Sequence, residues 1–82
     1  MLYEDITQRV IGCAMKVHST LGNGFQEVIY QRALDIEMKF DELSFEREKT
    51  MNIFYREYPI GDRRVDFFVE GSVLVELKAV IE

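Results

Sequence analysis

The segment from residue 63 to residue 80 constrains the fold most, because it reads as two β-strands joined by a tight turn. Apolar and polar side chains alternate on both sides of Glu70-Gly71-Ser72, and this period of two is typical of a β-hairpin. A three-residue loop that contains Gly71 is a common hairpin connection. It places Val69 opposite Val73, and this pairing fixes the register of both strands.

This register gives the hairpin two faces of different chemistry. One face is apolar and is expected to pack into the core; it consists of Val65, Phe67, Val69, Val73, Val75 and Leu77. On the other face Asp66 lies opposite Glu76, and Arg64 lies opposite Lys78. Directly opposed like charges destabilise a sheet, so the two carboxylates need a compensating partner, which a divalent cation would provide. The alternative is a solvated strand face on which two acids happen to align.

Length and composition indicate one small globular domain that spans residues 1–82. The single cysteine, Cys13, excludes an intrachain disulfide, and the sequence contains no zinc-ligand spacing, so a reducing compartment is expected. The sequence also lacks an apolar leader and an apolar run of membrane-spanning length. These features predict a cytoplasmic protein that does not bind membranes.

The distribution of charge matters more than the net charge. The formal charge of −5 weighs against nonspecific binding of nucleic acid, which depends on Lys and Arg. Between Arg47 and Arg64, however, basic residues outnumber acids. This local excess is compatible with phosphate binding and makes Arg63 and Arg64 candidate substrate contacts. A mixed, solvated β-surface explains the same charges equally well.

The N-terminal half of the chain shows helical periodicity. Apolar residues at spacings of three and four predict a first helix with a buried stripe of Leu2, Ile6, Val10, Cys13, Ala14, Val17 and Leu21. Gly22 is expected to end this helix, and His18 in its last turn is assigned no catalytic role, because helix-end histidines are more often packed or favoured by the dipole. A second helix is predicted from Phe25 to Phe40, with a stripe of Ile29, Ala33, Ile36 and Phe40.

The remaining residues complete an antiparallel sheet. A strand is predicted from Phe45 to Tyr58, a turn from Tyr58 to Asp62, and a last strand from Ser72 to Val80. The fold class is therefore α+β, with two helices packed on one face of a three-stranded antiparallel meander in the order α-α-β-β-β.

Asp66 followed by Glu76-Leu77-Lys78 on adjacent strands resembles the motif of the PD-(D/E)XK nuclease superfamily. The resemblance implies that Asp66 and Glu76 are ligands of Mg²⁺ or Mn²⁺. It also implies that Lys78 is a catalytic residue that positions and activates a water molecule. The activity would be hydrolysis of phosphodiester bonds, because a bound metal activates water and stabilises charge on the scissile phosphate.

A second motif, Gly24-x-x-Glu27-x-x-Tyr30, resembles the signature of the GxxExxY protein family, which is grouped with the PD-(D/E)XK proteins. The likeness follows the family's order over nearly the whole chain and implies a restriction-endonuclease-like half-core. It gives Glu27 a role as an additional acid at the metal site, although a first-turn glutamate is also favoured by the helix dipole alone. Tyr30 becomes a candidate substrate contact, with ordinary packing as the alternative.

Members of this family usually continue past the Glu-x-Lys strand with a further helix and more strand. We therefore expect that the C-terminal part of the family domain is missing from residues 1–82, and that the last strand leaves an edge that favours a homo-oligomer. Three functional classes stay open. They are a Mg²⁺-dependent nuclease or its remnant, a catalytically inactive module that binds nucleic acid or protein, and a structural partner subunit.

Overall fold

The computed structural model describes residues 3–78, which form two helices followed by three strands. In chain order these are α1 (Tyr3–Leu21), α2 (Glu27–Phe40), β1 (Phe45–Tyr55), β2 (Tyr58–Val69) and β3 (Val73–Val75). The strands form one open antiparallel sheet in the order β1-β2-β3. The predicted α-α-β-β-β architecture is confirmed. Within residues 3–78, neither helix combines the length and the apolar character that crossing a membrane requires.

The predicted buried stripe of α1 is confirmed where the structure describes it. The residues of α1 that are shielded from solvent are Ile6, Val10, Cys13 and Val17. Leu2 belongs to the predicted stripe but lies outside the described residues. Gly22 has a φ of +70°, a left-handed conformation that glycine adopts without steric cost, and its N–H donates to the carbonyl of His18 at 2.8 Å. The helix therefore ends as the sequence predicts.

The predicted stripe of α2 is wrong in its C-terminal half, although Ala33 of that stripe is partly buried against the core. Ile36 is 54% exposed and Phe40 is 82% exposed, whereas the buried residues are Gln31, Leu34, Asp35 and Met38. These four positions follow the spacing of one helical face, so the period was correct and the face was not. The reason is that Gln31 and Asp35 have polar partners on the sheet, and these hydrogen bonds offset the free-energy cost of burying polar groups.

The register of the β2–β3 hairpin is confirmed for the three pairs nearest the turn. Val69 pairs with Val73, Phe68 with Leu74, and Phe67 with Val75. The predicted pairs of Asp66 with Glu76 and of Arg64 with Lys78 are not formed, because β3 ends at Val75. The apolar face packs against the helices: Val65, Phe67 and Val69 have no exposed surface, and Val73, Val75 and Leu77 complete that face.

The last strand is shorter than predicted. It covers Val73–Val75, residues 76–78 adopt no regular structure, and residues 79 and 80 of the predicted strand lie outside the described residues. The Leu77 N–H donates to a side-chain oxygen of Asp66 at 2.6 Å. An amide that bonds a side chain is not available to a backbone carbonyl of β2, so the ladder stops before this point. β3 is an edge strand within residues 3–78, and the homo-oligomer stays a prediction.

The predicted turn from Tyr58 to Asp62 is wrong, because these residues belong to β2. The chain reverses instead at Arg56 and Glu57, with φ values of +48° and +68°. Two successive residues with positive φ between paired strands form the tight hairpin turn whose twist matches that of the strands.

Pro59 and Ile60 mark an irregularity in this first hairpin. Ile53 pairs with Gly61, and Phe54 pairs with Pro59, so Ile60 is the extra residue of a β-bulge. Proline is tolerated here because β3 pairs only with the stretch of β2 from residue 67 to residue 69. The first hairpin therefore projects beyond the helix-covered part of the sheet.

Candidate active site

Asp66 lies on the central strand, and its carboxylate accepts two hydrogen bonds. The side-chain amide of Gln31 on α2 donates to Oδ1 at 2.5 Å, and the backbone N–H of Leu77 donates to Oδ2 at 2.6 Å. An ionised carboxylate offers about four acceptor sites, so each oxygen keeps a lone pair for a cation. Asp66 is thus held in place without being saturated.

The same bond brings Glu76 next to Asp66. The Leu77 nitrogen belongs to the peptide that joins Glu76 to Leu77, so the carbonyl carbon of Glu76 lies within roughly 4 Å of the Asp66 carboxylate. The carboxylate of Glu76 is partly exposed and pairs with the guanidinium of Arg63. The expected repulsion between the two acids is therefore already offset by protein groups: Arg63 at Glu76, and two hydrogen-bond donors at Asp66.

Asp66 and Glu76 have the carboxylate ligands that Mg²⁺ prefers, and their role as metal ligands stays a prediction. Mg²⁺ is commonly held by one or two carboxylates, with water and substrate phosphate oxygens as its other ligands. Within residues 3–78 no group of three or more His, Cys, Asp or Glu side chains is close enough to hold a metal. Asp66 and Glu76 are the two residues that would hold such an ion.

Glu27 is the first residue of α2 and is exposed. It precedes Gln31 by four positions, so the two side chains lie on the same face of the helix, one turn apart. Gln31 donates a hydrogen bond to Asp66, so Glu27 lies at the N-terminus of α2 on the same helix face as this bond.

Arg63 and Arg64 flank the site on β2, and each pairs with an acid. Arg64 forms a salt bridge with Glu48 at 2.7 Å, while Arg63 pairs with Glu76. Glu48 lies on β1 at the position opposite Asp66 and has a φ of +50°. Such a conformation costs roughly 1–3 kcal/mol for a residue other than glycine, and it interrupts the ladder beside Asp66.

Sequence reasoning missed a polar cluster between α2 and β1. Arg47 donates to Asp35 at 3.3 Å and to the side-chain oxygen of Gln31 at 3.4 Å, and its guanidinium lies 5.6 Å from the centre of the Phe67 ring. The signal in the sequence was the spacing of four between two polar residues of α2. The cluster orients Gln31, and through Gln31 it orients Asp66.

Tyr30 stabilises the loop between α1 and α2 through hydrogen bonds. Its hydroxyl donates to the carbonyl of Gly22 at 2.7 Å and accepts from the N–H of Phe25 at 3.3 Å. The rings of Tyr30 and Phe25 also meet edge to face, with centroids 6.2 Å apart. These contacts give Tyr30 a structural role, and its contact with substrate stays a prediction.

An open pocket of about 250 Å³ lies between the two helices and the segment that follows β3. Its walls contain Lys78 and Tyr30 together with His18, to which the sequence assigned no role. Among residues 3–78 the pocket is lined by Ala14, Val17, His18, Asn23, Tyr30, Leu34, Leu77 and Lys78. The structure therefore places Lys78 at a concave surface and leaves Glu27, Arg63 and Arg64 off that surface.

Two helices on an antiparallel sheet, with an acid on one strand and an acid-x-Lys segment just past the next, define a nuclease-like half-core. The family model of the PD-(D/E)XK nuclease superfamily matches residues 4–82, and the chain belongs to this superfamily. Comparison with curated proteins and with solved structures gave no match.

Proposed function

We propose that this protein hydrolyses phosphodiester bonds of nucleic acids with the help of Mg²⁺ or Mn²⁺. The observation that carries the proposal is the hydrogen bond from the Leu77 N–H to Asp66. It holds the Glu76-Leu77-Lys78 segment beside Asp66 in a chain that belongs to a nuclease superfamily.

Each residue of the site has a role in this proposal. Asp66 and Glu76 would hold the metal, which when bound supplies a Lewis acid that activates water and offsets charge on the phosphate. Lys78 follows Glu76 by two residues and would position the attacking water through its ammonium group. Glu27 would add a carboxylate from the start of α2.

The salt bridge between Arg63 and Glu76 bears on how substrate and metal would bind. An exposed ion pair of this kind is worth roughly 0–1 kcal/mol, so it opens at little cost. Release of Glu76 to the metal would free the guanidinium of Arg63 for a phosphate oxygen, and Arg64 would do the same from its bond to Glu48. The two arginines would then bind substrate phosphates.

The alternative function is a catalytically inactive module that binds nucleic acid or protein. The observation that favours it is that Asp66 and Glu76 both have protein partners already. The two functions differ in one respect that can be measured. Only the hydrolase needs a divalent cation at Asp66 and Glu76.

The test is a calorimetric titration of Mn²⁺ into the wild-type protein and into Glu76→Gln. We expect one weakly bound ion in the wild type and none in the variant, because the amide removes a charged ligand. Glu57→Gln removes the same charge at the exposed hairpin turn and serves as the matched control.

Cleavage of labelled single-stranded DNA and RNA should follow the same pattern as Mn²⁺ binding. Identical titrations for the wild type and Glu76→Gln would show that the metal-site assignment is wrong. Nucleic-acid binding in EDTA, without Mn²⁺-dependent cleavage under any condition, would favour the inactive module.

A further inference from the structure

The pocket beside Lys78 combines an apolar floor with a polar rim. The floor consists of Ala14, Val17, Leu34 and Leu77, and the rim carries His18, Asn23 and Lys78. None of the lining residues within the described range 3–78 is acidic, in a chain whose formal charge is −5. An apolar cavity with a few convergent polar groups is the usual form of a small-molecule site, and here the ammonium group of Lys78 favours an anion.

Local structure holds this rim in place. The carbonyl of His18 accepts the N–H of Gly22, and the Tyr30 hydroxyl bonds the carbonyl of Gly22 and the N–H of Phe25. Asn23 lies between Gly22 and Phe25, which these hydrogen bonds hold in place. A rim that is fixed before binding loses little conformational entropy when a ligand enters.

Lys78 is available to a ligand. Within residues 3–78 it has no carboxylate partner, whereas Lys39 pairs with Asp35 and Lys49 pairs with Glu46. A charged donor at the edge of an apolar cavity forms shorter and stronger hydrogen bonds with an anion than a neutral donor does. His18 is exposed on the same rim and adds a second nitrogen donor.

Leu77 connects this pocket to the carboxylates. Its side chain lines the pocket, and its backbone N–H donates to Asp66. A ligand in the pocket would therefore be separated from the proposed hydrolytic site only by Leu77. The pocket is also small, at about 250 Å³, which suits a single nucleotide better than a duplex.

We infer that this pocket binds one nucleotide unit of a nucleic-acid strand, with the phosphate held by His18 and Lys78 and the base on the apolar floor. The inference rests on the proposed function, because it names the part of the substrate that lies beside the metal site. It assigns His18 as a substrate-binding residue.

The test is a titration of adenosine 5′-monophosphate into the full chain in EDTA, so that neither metal binding nor hydrolysis is needed. Adenosine and inorganic phosphate are titrated in parallel. We expect the monophosphate to bind at least roughly tenfold more tightly than either part, because it engages the floor and the rim together.

His18→Ala and Lys78→Ala should each weaken binding of the monophosphate roughly tenfold, as expected for the loss of a hydrogen bond to a charged group. His18→Asp places a carboxylate on the rim and should abolish binding. Lys16→Ala is the matched control, because Lys16 is an exposed cation of α1 that does not line the pocket. Circular dichroism verifies that every variant is folded.

Several outcomes would overturn the inference. They are equal binding of the monophosphate and inorganic phosphate, unchanged binding in His18→Ala or His18→Asp, and a loss in Lys16→Ala as large as that in His18→Ala. If Mn²⁺ binding depends on Glu76 but the monophosphate does not bind, the inference fails alone. If the monophosphate binds as described but Mn²⁺ does not, the hydrolase proposal fails and the nucleotide pocket stands.

Discussion

The two helices pack against the same core with faces of different chemistry. The buried face of α1 consists of Ile6, Val10, Cys13 and Val17, none of which needs a polar partner. The buried face of α2 includes Gln31 and Asp35, while Ile36 and Phe40 of the same helix lie in solvent. Thus the buried face of α1 serves packing alone, whereas α2 shares its buried face between packing and a polar cluster that reaches Asp66. Apolar periodicity identifies a helix of the first kind and misplaces one of the second.

The sharpest test of this comparison uses the same substitution in both helices. Ile6 on α1 is 2% exposed and Ile36 on α2 is 54% exposed. Ile6→Ala should lower the free energy of unfolding by about 2–5 kcal/mol, because it removes buried methyl groups and leaves a cavity. Ile36→Ala should change it by no more than about 0.5 kcal/mol. Urea unfolding of both variants measures the difference, and equal losses would contradict the assignment of the α2 face.

A second prediction concerns the polar cluster of α2. Asp35→Ala leaves the Arg47 guanidinium without its acid and should cost about 1–3 kcal/mol of unfolding free energy. The double variant Asp35→Leu with Arg47→Met replaces both partners by apolar groups and should recover at least half of that loss. Urea unfolding compares the two proteins. A double variant less stable than Asp35→Ala would show that the pair stabilises the fold by itself.

The smallest effect is expected at Cys13 on α1. Burial, with a lesser contribution from the carboxylates of Asp41 and Glu37, raises the pKa of the Cys13 thiol above its ordinary value of 9.0. The thiol therefore ionises first in the unfolded chain, so its contribution to stability is present below about pH 9 and declines as pH rises through the folded pKa.

Cys13→Ala measures this contribution. The variant should be slightly less stable than the wild type at pH 7, and the gap should narrow between pH 8 and roughly pH 10. Urea midpoints across this range provide the measurement. A gap that widens with pH would mean that the thiol ionises more easily in the folded protein.

Much of the fold follows from local patterns. The pairing of Val69 with Val73 is determined by loop length and alternation within a few residues, so the sequence predicts it correctly. The face of α2 is not local, because Gln31 finds its partner 35 residues later and Asp35 finds its partner 12 residues later.

The turn at Arg56 and Glu57 was missed for a different reason. Neither residue is among those that favour positive φ, whereas Pro59 and Gly61 nearby are common in turns. The two-residue turn follows from the pairing of the whole hairpin rather than from the preferences of the residues within it.

In the candidate site, too, features that depend on local sequence could be predicted and features that depend on distant contacts could not. The hairpin register predicts that the segment after Val75 runs beside Asp66, and the bond from the Leu77 N–H to Asp66 agrees with this, whereas the shared metal site of Asp66 and Glu76 stays a prediction. The salt bridge of Glu76 with Arg63 and the position of His18 near Lys78 could not be predicted. Each depends on segments that meet only after the helices and sheet have packed together.

The proline and bulge in the outer half of β2 have a consequence for solubility. Within residues 3–78, no strand pairs with β2 on its β3 side from Tyr58 to Asp66, and the nearby Phe54, Tyr55 and Tyr58 are exposed. A long, regular apolar edge of this kind would template fibrillar stacking of chains. Pro59 has no amide hydrogen to offer an incoming strand, and the bulge at Ile60 breaks the straight run of backbone groups. Pro59 and the bulge at Ile60 therefore disfavour the pairing of a second chain with this free edge of β2.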